Sequence, residues 1–420
     1  MTSDRAYVWT WLPGNTAPVV VGRVTERAGR HYFQYGRSYL DRDDAIALGP
    51  ELPLVRGVLP PREGLDLAGC LRDALPDSWG QRAIAARLAG RGADARDVPP
   101  ITYMLESGTN RFGAIDFQAS ATAFEPRDEG GSLDELHTAA QTLMDGGLLP
   151  PTLAEAFAHG TSIGGARPKV LFADGDRQFI AKLSSTSDRH HEMRAEAACL
   201  YLARAAGIRV PEFELTTSLG RDVLLVRRFD RLSGGGRRHA LSALTLVGLH
   251  EDVGRYAAYP DFLDRLRDHP GRGAVDPGWE LFRRIAFNIV VGNGDDHARN
   301  HAAFWDGTSL ELTPAFDLAP QRPSGWDHNQ AMAYGRGGER RADLRMLVGV
   351  SQVYGLPASE AVEVVDAVVT AVEEGWEEAA DAARLTEADR AALWHAMILN
   401  PGIGGRRGVR VERTSSKEAP

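Results

Sequence analysis

The segment WELFRRIAFNIVVGN (279–293) constrains the fold of this chain more than any other. Its apolar residues recur with helical period, so the segment predicts a helix that must be buried along most of its length. The chain then turns polar: VVGNGDDHARNHAAFW (290–305) holds two aspartates, two histidines, an arginine and two asparagines. Charge set beside so much Val, Ile and Phe is rarely without a partner or a task.

At 420 residues the chain is long for one hydrophobic core, and two or more lobes are expected. Hydrophobic residues make up 43% and charged residues 25%, the balance of a soluble globular protein rather than a disordered or membrane one. A formal net charge of −9 argues against an overall grip on nucleic acid and leaves room for a local basic face. The two cysteines, Cys70 and Cys199, lie far apart in helical-looking surroundings. They suit a reducing cytoplasm and give neither a disulfide framework nor a zinc site. The opening MTSDRAYVWTWLPG lacks the basic and apolar regions of a signal peptide. No window approaches the roughly 18 uninterrupted apolar residues of a membrane span. A cytoplasmic protein with no membrane partner is expected.

AYVWTWL, VVVGRV and HYFQYG, within residues 5–40, alternate in strand fashion and predict a small antiparallel sheet. Helical periodicity follows over 66–91, interrupted near Pro76, and RFGAIDFQ (111–118) reads as a further strand. An acidic stretch at 125–132 precedes a helical segment from Leu133. ARPKVLFADGDRQFIAKLSS (166–185) reads as two strands joined at Asp174–Gly175–Asp176. Residues 190–207 form a helix ended by Gly207, and VLLVRRFDR (223–231) a strand running into a loop. From about residue 241 the pattern is mostly helical, broken by a hairpin-like pair around Gly307, with Ala/Glu-rich helices over roughly 357–399. The Gly-, Arg- and Ser-rich tail predicts disorder. The resulting segmentation is a small N-terminal subdomain (1–125), a strand-rich lobe (126–235), a helical lobe (236–400) and the tail (401–420).

Asp295 and Asn300 stand five residues apart. D-x-x-x-x-N is the spacing of a kinase catalytic loop, where the aspartate accepts the proton of the attacking hydroxyl and the asparagine holds magnesium. Alone, the spacing also fits a capped polar loop between helix and strand. Beyond the hairpin, TPAFDLAP sets Asp317 beside Phe316, where a kinase keeps its second magnesium ligand. Such an ion takes a few carboxylate and amide oxygens, completed by phosphates and water. Upstream, TSIGGARPKV (161–170) is a Ser/Gly-containing turn that lets backbone N–H groups approach phosphates. It satisfies no phosphate-binding consensus literally, and an ordinary loop fits it as well. In FIAKL, Phe179, Ala181 and Leu183 share one strand face and leave Lys182 on the other with Ile180. Glu196, on the next helix, is its candidate partner in the manner of a kinase lysine–glutamate pair. A snorkelling edge-strand lysine is the alternative. The order decides among these readings: Gly-containing turn, strand lysine, helix glutamate, connecting strand, D-x-x-x-x-N, hairpin, aspartate. The expected fold class is therefore α+β, a two-lobed protein-kinase-like fold whose strand-rich N-terminal lobe carries an extra small subdomain and whose C-terminal lobe is mostly helical.

SIGGARPK, FIAKL, RRFDR, FNIVVGNGDDHARNHAAF and LTPAFDLAP resemble the HipA family of bacterial toxin kinases. LGPELPL (48–54) and ALPDSWG (74–80) resemble the small subdomain that precedes the kinase core, and the likeness extends over about residues 6–400. The resemblance implies a serine/threonine protein kinase that uses ATP and Mg2+. On matching positions, Asp295 would be the catalytic base, and Asn300 and Asp317 the metal ligands. Gly164, Gly165, Ala166, Arg167, Pro168 and Lys169 would form the phosphate-binding loop. Lys182 would contact the phosphates with Glu196 beside it, and Arg227, Arg228 and Phe229 would form the hinge over which adenine sits. His297, Ala298 and Arg299 would complete the nucleotide site, His297 bracing the loop. Ser162 occupies the position of a serine whose autophosphorylation ejects the loop and switches the enzyme off.

The resemblance further implies a toxin restrained by a HipB-like helix-turn-helix antitoxin, which would do most of the binding to operator DNA. It implies an aminoacyl-tRNA synthetase as substrate, whose phosphorylation stalls translation and induces growth arrest or persistence. A kinase acting on a small molecule or lipid shares the same core. So does a non-catalytic corepressor, although Lys182, Asp295, Asn300 and Asp317 occurring together argue against that. Three departures stand out. Asp296 adjoins Asp295, and only the spacing to Asn300 favours Asp295 as the base. The order around Asp317 is Phe–Asp–Leu, so no activation switch of the ordinary kinase type is assumed. Arg227 has a side chain ill suited to accept from the adenine amino group, which leaves that contact to the backbone.

Overall fold

The computed structural model describes residues 4–76, 78–90, 98–127, 131–147, 149, 168–185, 188, 191–271, 273, 275–322 and 328–404. Among them, alternating burial builds three antiparallel sheets. In the first, β1 (Arg5–Thr10), β2 (Val19–Arg27), β3 (Arg30–Tyr35) and β4 (Ile115–Gln118) lie in the order β3–β2–β1–β4. Between β2 and β3, Ala28 and Gly29 take φ of 51° and 74°, the twist that a two-residue hairpin turn needs. β4 returns from far along the chain to pair with β1, Tyr7 facing Gln118.

The second sheet comprises β5 (Lys169–Asp174), β6 (Arg177–Leu183), β7 (Phe213–Ser218) and β8 (Arg221–Arg227), in the order β5–β6–β8–β7. Phe179, Ala181 and Leu183 are buried on one face of β6, as the alternation predicts. They join a core of their own with Trp79 and Ala83 of α1 (Ser78–Gly90) and Leu136, Ala139 and Ala140 of α2 (Leu133–Met144). A capping box starts α2: Ser132 accepts from the Glu135 backbone N–H while Glu135 reaches back to the Ser132 N–H. α3 (Glu192–Ala205) packs on β7 and β8 and ends before Gly207, whose φ is 73°.

The third sheet pairs β10 (Ala302–Trp305) with β11 (Leu310–Leu312) and β9 (Ala240–Ser242). β9 carries no alternation signal in the sequence, and that of β7 is confined to EFELT (212–216). β9 has three residues, all buried, and β7 is an edge strand half-exposed on both faces.

The helical lobe contains α4 (Ala243–Val247), α5 (Tyr259–Asp268), α6 (Pro277–Val291) and α7 (Ala358–Ala382). α6 is the apolar helix of the opening segment. Asp276 caps its first turn by accepting from the Gly278 and Trp279 N–H groups, and Pro277 occupies the first position, where no donor is needed. It stops at Gly292, whose φ is 72° and where a Cβ would lie 2.7 Å from the Met397 carbonyl oxygen. One large hydrophobic core joins the first sheet (Ala6, Val8, Val21, Phe33) to the helical lobe (Ile285, Val290, Val365, Trp376). Among the described residues no helix is long and apolar enough to cross a membrane. Residues 405–420 of the tail lie outside the described residues.

Candidate active site

The pleat of β6 that buries Phe179, Ala181 and Leu183 sends Ile180 and Lys182 into a cleft between the second sheet and the helical lobe. There Lys182 Nζ donates to Glu196 Oε1 and to Asp317 Oδ1. Glu196 arrives on α3 and is buried. Asp317 has φ of 60°, a left-handed backbone unusual for a residue with a side chain. Burial works against the charge of Lys182, but Asp317 and then Glu196 outweigh it and raise its pKa. Burial also opposes ionisation of Asp317, yet Lys182 and then Lys169 hold its carboxyl well below the usual range. For Glu196 burial prevails over Lys182, and its pKa is raised.

The loop after α6 separates its two adjacent aspartates. Asp296 is 1% exposed, and its Oδ2 meets the Tyr259 hydroxyl, Asn288 Nδ2 at 2.6 Å and His301 Nε2 at 2.7 Å. That carboxylate braces the loop. Asp295 is exposed. The turn around it is closed by the His297 N–H on the Asp295 carbonyl at 2.8 Å and the Asn300 N–H on the His297 carbonyl at 2.8 Å. Asn300 Nδ2 donates to the Asp295 carbonyl at 3.2 Å, which leaves its Oδ1 as the remaining polar atom of the amide. Burial raises the Asp295 pKa, His297 offsets this in part, and Asp317 and Asp296 reinforce it.

The cleft encloses about 310 Å³ and is lined by ten of the residues singled out from sequence: Lys169, Lys182, Glu196, Arg227, Arg228, Phe229, His297, Arg299, Asn300 and Asp317. Asp295 borders a neighbouring cavity of about 410 Å³ with Gln321, His328 and Asn400. Ala298 is packed in the core, its carbonyl accepting from the Leu244 N–H at 3.1 Å, and Pro168 is a backbone partner of Leu183. Neither lines the cleft. Ser162, Gly164, Gly165, Ala166 and Arg167 lie outside the described residues. The guanidinium of Arg227 pairs with Glu212 at 2.6 Å. That of Arg228 is buried against Asp230, so its part in the site runs through the backbone and its neighbours.

Several cleft residues escaped sequence reasoning. Leu200 and Val226 join Ile180, which shares the Lys182 face of its strand, in an apolar wall, and the expected hinge residue Phe229 lies 5.6 Å from Phe316 and 5.7 Å from Phe304, centroid to centroid. Asp73, Leu75, Ser78 and Phe112 come from the N-terminal part of the chain. No local pattern marks them, because only the tertiary fold brings them to the cleft.

The donors fit a magnesium ion shared with phosphates. Asp317 and the Asn300 Oδ1 give two oxygen donors, too few to cage the ion and enough to hold it once phosphates and water complete its shell. Among the described residues no cluster of three His, Cys, Asp or Glu side chains forms a self-sufficient metal site. His297 lines the cleft, and its buried Nδ1 has no hydrogen-bond partner among the described residues.

The HipA-like C-terminal domain family matches residues 161–376, and the HipA N-terminal domain family matches residues 15–118. A Sinorhizobium fredii protein described as putative kinase Y4mE is 26% identical over 324 residues, 71% of this chain and 74% of that protein. The serine/threonine-protein kinase toxin HipA of Shewanella oneidensis is 27% identical over 183 residues, 37% of this chain and 42% of its own length. Among solved structures, the Shewanella oneidensis MR-1 toxin–antitoxin complex of HipA, HipB and operator DNA contains a similar chain. The TM-score is 0.65 at 17% identity, over 92% of this chain and 94% of that one, and the likeness is one of fold.

Proposed function

This chain belongs to the HipA family of toxin kinases, and on that premise we propose that it transfers the γ-phosphate of ATP to a serine or threonine hydroxyl of a protein. The observation that carries the proposal is the convergence of Lys182, Glu196 and Asp317 in one cleft, with Asn300 lining it and the Asp295 carboxylate beside it. Lys182 orients the phosphates, and Glu196 fixes its position. Asn300 and Asp317 hold Mg2+, which when bound draws charge from the transferring phosphoryl group. Asp295 accepts the proton of the acceptor hydroxyl; its raised pKa makes it a stronger base than an ordinary carboxylate. The segment Gly164–Lys169 cradles the phosphates, Arg227–Phe229 carries the base through its backbone, and Ser162 is the autophosphorylated serine of the switch.

The family resemblance extends the proposal to partners. A small helix-turn-helix antitoxin restrains the kinase and brings it to operator DNA; the similar Shewanella oneidensis chain was solved in a toxin–antitoxin complex of HipA, HipB and operator DNA. The acceptor is an aminoacyl-tRNA synthetase in the cytoplasm, and its phosphorylation stalls translation, with growth arrest and persistence as the result.

The test is transfer of radiolabelled phosphate from ATP–Mg2+ by wild type and Asp295→Ala, alone and with cell lysate. Label on the wild-type protein and on one synthetase-sized lysate band, absent with the variant, is the expected outcome. A folded, unphosphorylated wild type that labels nothing would overturn the kinase assignment. Label on a lipid or small molecule alone would move the acceptor to another class. Ser162→Ala should keep transferring phosphate without shutting itself off; continued shut-off places the switch elsewhere.

A further inference from the structure

One wall of the nucleotide cleft belongs to neither lobe. Phe112 lines the cleft with its ring edge-on to Phe229, centroids 6.4 Å apart at 88°. It sits on the loop leading into β4, so it is carried by the N-terminal sheet. A buried polar knot fastens that loop to the segment after β8. Asn110 Oδ1 accepts from Arg228 Nη1 at 2.7 Å and from Arg231 Nε and Nη2 at 3.1 and 2.9 Å. Asn110 Nδ2 donates to Gln178 Oε1 of β6 at 2.9 Å. Arg228 grips Asp230 with two parallel hydrogen bonds, Nε to Oδ1 at 2.9 Å and Nη2 to Oδ2 at 2.7 Å. Asp230 Oδ2 also accepts from the Gly113 N–H at 2.7 Å. Burial works against the Asp230 charge, but Arg228 and Arg231 hold its carboxyl down at about 2. Behind the loop, the fully buried Arg111 donates to Asp116 at 2.7 Å and to the Ala74 and Met104 carbonyls at 3.0 and 2.6 Å.

Buried charges on this scale contribute little net adhesion, because desolvation offsets most of their attraction. What they can provide is position. Phe112 is the side chain set between the two anchored residues of the loop, Arg111 and Gly113, and it is the one that enters the cleft. Together with Ile180, Leu200, Val226, Phe229 and Phe316 it forms an apolar, aromatic wall. Such a wall suits the flat face of a base and offers nothing to phosphates, which Lys182 and Lys169 are placed to receive.

We infer that the N-terminal subdomain completes the nucleotide site: Phe112 contacts the base, and Asn110, Arg228 and Asp230 are the positioning residues that hold it there. The inference rests on the kinase reading and adds to it a base-binding residue from outside the kinase lobes.

The test titrates ADP and, separately, tripolyphosphate, which has no base, into the full-length protein by calorimetry. Phe112→Ala should bind ADP roughly tenfold more weakly, the loss of one aromatic neighbour and its apolar area, and should bind tripolyphosphate as wild type does. Asn110→Ala should weaken ADP binding in the same way. Asn110→Asp, which keeps an acceptor oxygen for both arginines, should restore it. If Phe112→Ala does not fold, Phe112→Leu serves, with a smaller loss of ADP affinity and none for tripolyphosphate. Unchanged ADP affinity in the Phe112 variant, or equal losses for both ligands, overturns the inference alone. A folded wild type that binds no ADP removes the kinase reading as well.

Discussion

Asp295 and Asp296 are neighbours in sequence with opposite surroundings, and the difference decides what each can do. Asp296 is surrounded by Tyr259, Asn288 and His301, so removing its charge leaves these three groups on a neutral, weaker acceptor and buries an amide N–H2 in place of the second oxygen. Asp296→Asn should lower stability by on the order of 2 kcal/mol, read as a fall in thermal midpoint. Asp295→Asn should leave the midpoint unchanged and cut phosphotransfer by roughly a thousandfold, the range for losing a general base. Spacing alone could favour Asp295 but could not exclude Asp296, because the three groups that occupy Asp296 come from α5, α6 and the end of the loop. The raised pKa of Asp295 has a pH consequence. A base works only when deprotonated, so activity should be lost as pH falls through that raised value, at a higher pH than for an ordinary carboxylate. His297 opposes the upward shift, so His297→Gln should move the acid limb of kcat to still higher pH. An acid limb that stays in place would separate His297 from the base.

At the scale of elements, β6 and α3 were legible because each carries a period. Alternation in FIAKL placed Lys182 opposite a buried face, and the helical pattern of 190–207 placed Glu196 on the next element, leaving their meeting as a short extrapolation. β7 was passed over: EFELT alternates for only five residues, the strand is half-exposed on both faces, and its pairing with β8 is a tertiary choice. The left-handed backbone of Asp317 was equally invisible, since nothing local in TPAFDLAP demands it. The two carboxylates that meet across the cleft depend on the lysine between them. Lys182→Met should abolish turnover and destabilise the protein by on the order of 3 kcal/mol, because it removes the cation bonded to both Glu196 and Asp317 and leaves only the field of Lys169. Glu196 already has a raised pKa, and losing Lys182 raises it further. A group raised in the folded state contributes stability at low pH and loses it as pH rises through the folded value. The deficit of Lys182→Met against wild type should therefore shrink as pH falls below the raised Glu196 value and grow as pH rises through it in denaturant melts. A deficit independent of pH would mean that lost packing, rather than the carboxylate pair, sets the cost.

At the scale of the whole molecule, the sequence divides more sharply than the hydrophobic core does. The chain pattern and the family resemblance set off an N-terminal subdomain, and Val8, Val21 and Phe33 of its sheet share one buried cluster with Ile285 and Val290 of α6. The contacts that fuse them are long-range: His239 Nε2 on the Leu48 carbonyl and Trp305 Nε1 on the Ala47 carbonyl, both at 2.7 Å. Local pattern carries no trace of such pairs. The second sheet instead has its smaller core, Phe179, Ala181 and Leu183 against Trp79, Leu136 and Ala139. Cooperativity should follow the cores and not the sequence segments. Hydrogen exchange followed across denaturant concentrations should show amides of β1, β2 and α6 opening together at the global unfolding free energy. Amides of β5 and β6 should open at a lower one, since fewer apolar contacts hold them. Saturating ADP should then raise protection in β5 and β6 more than in β1 and β2, because the ligand closes the side of that sheet which its own core leaves uncovered. If β1 and β2 instead exchange as a unit apart from α6, the N-terminal segment is an independent domain, and Phe112 would have to be held at the cleft by the polar knot alone.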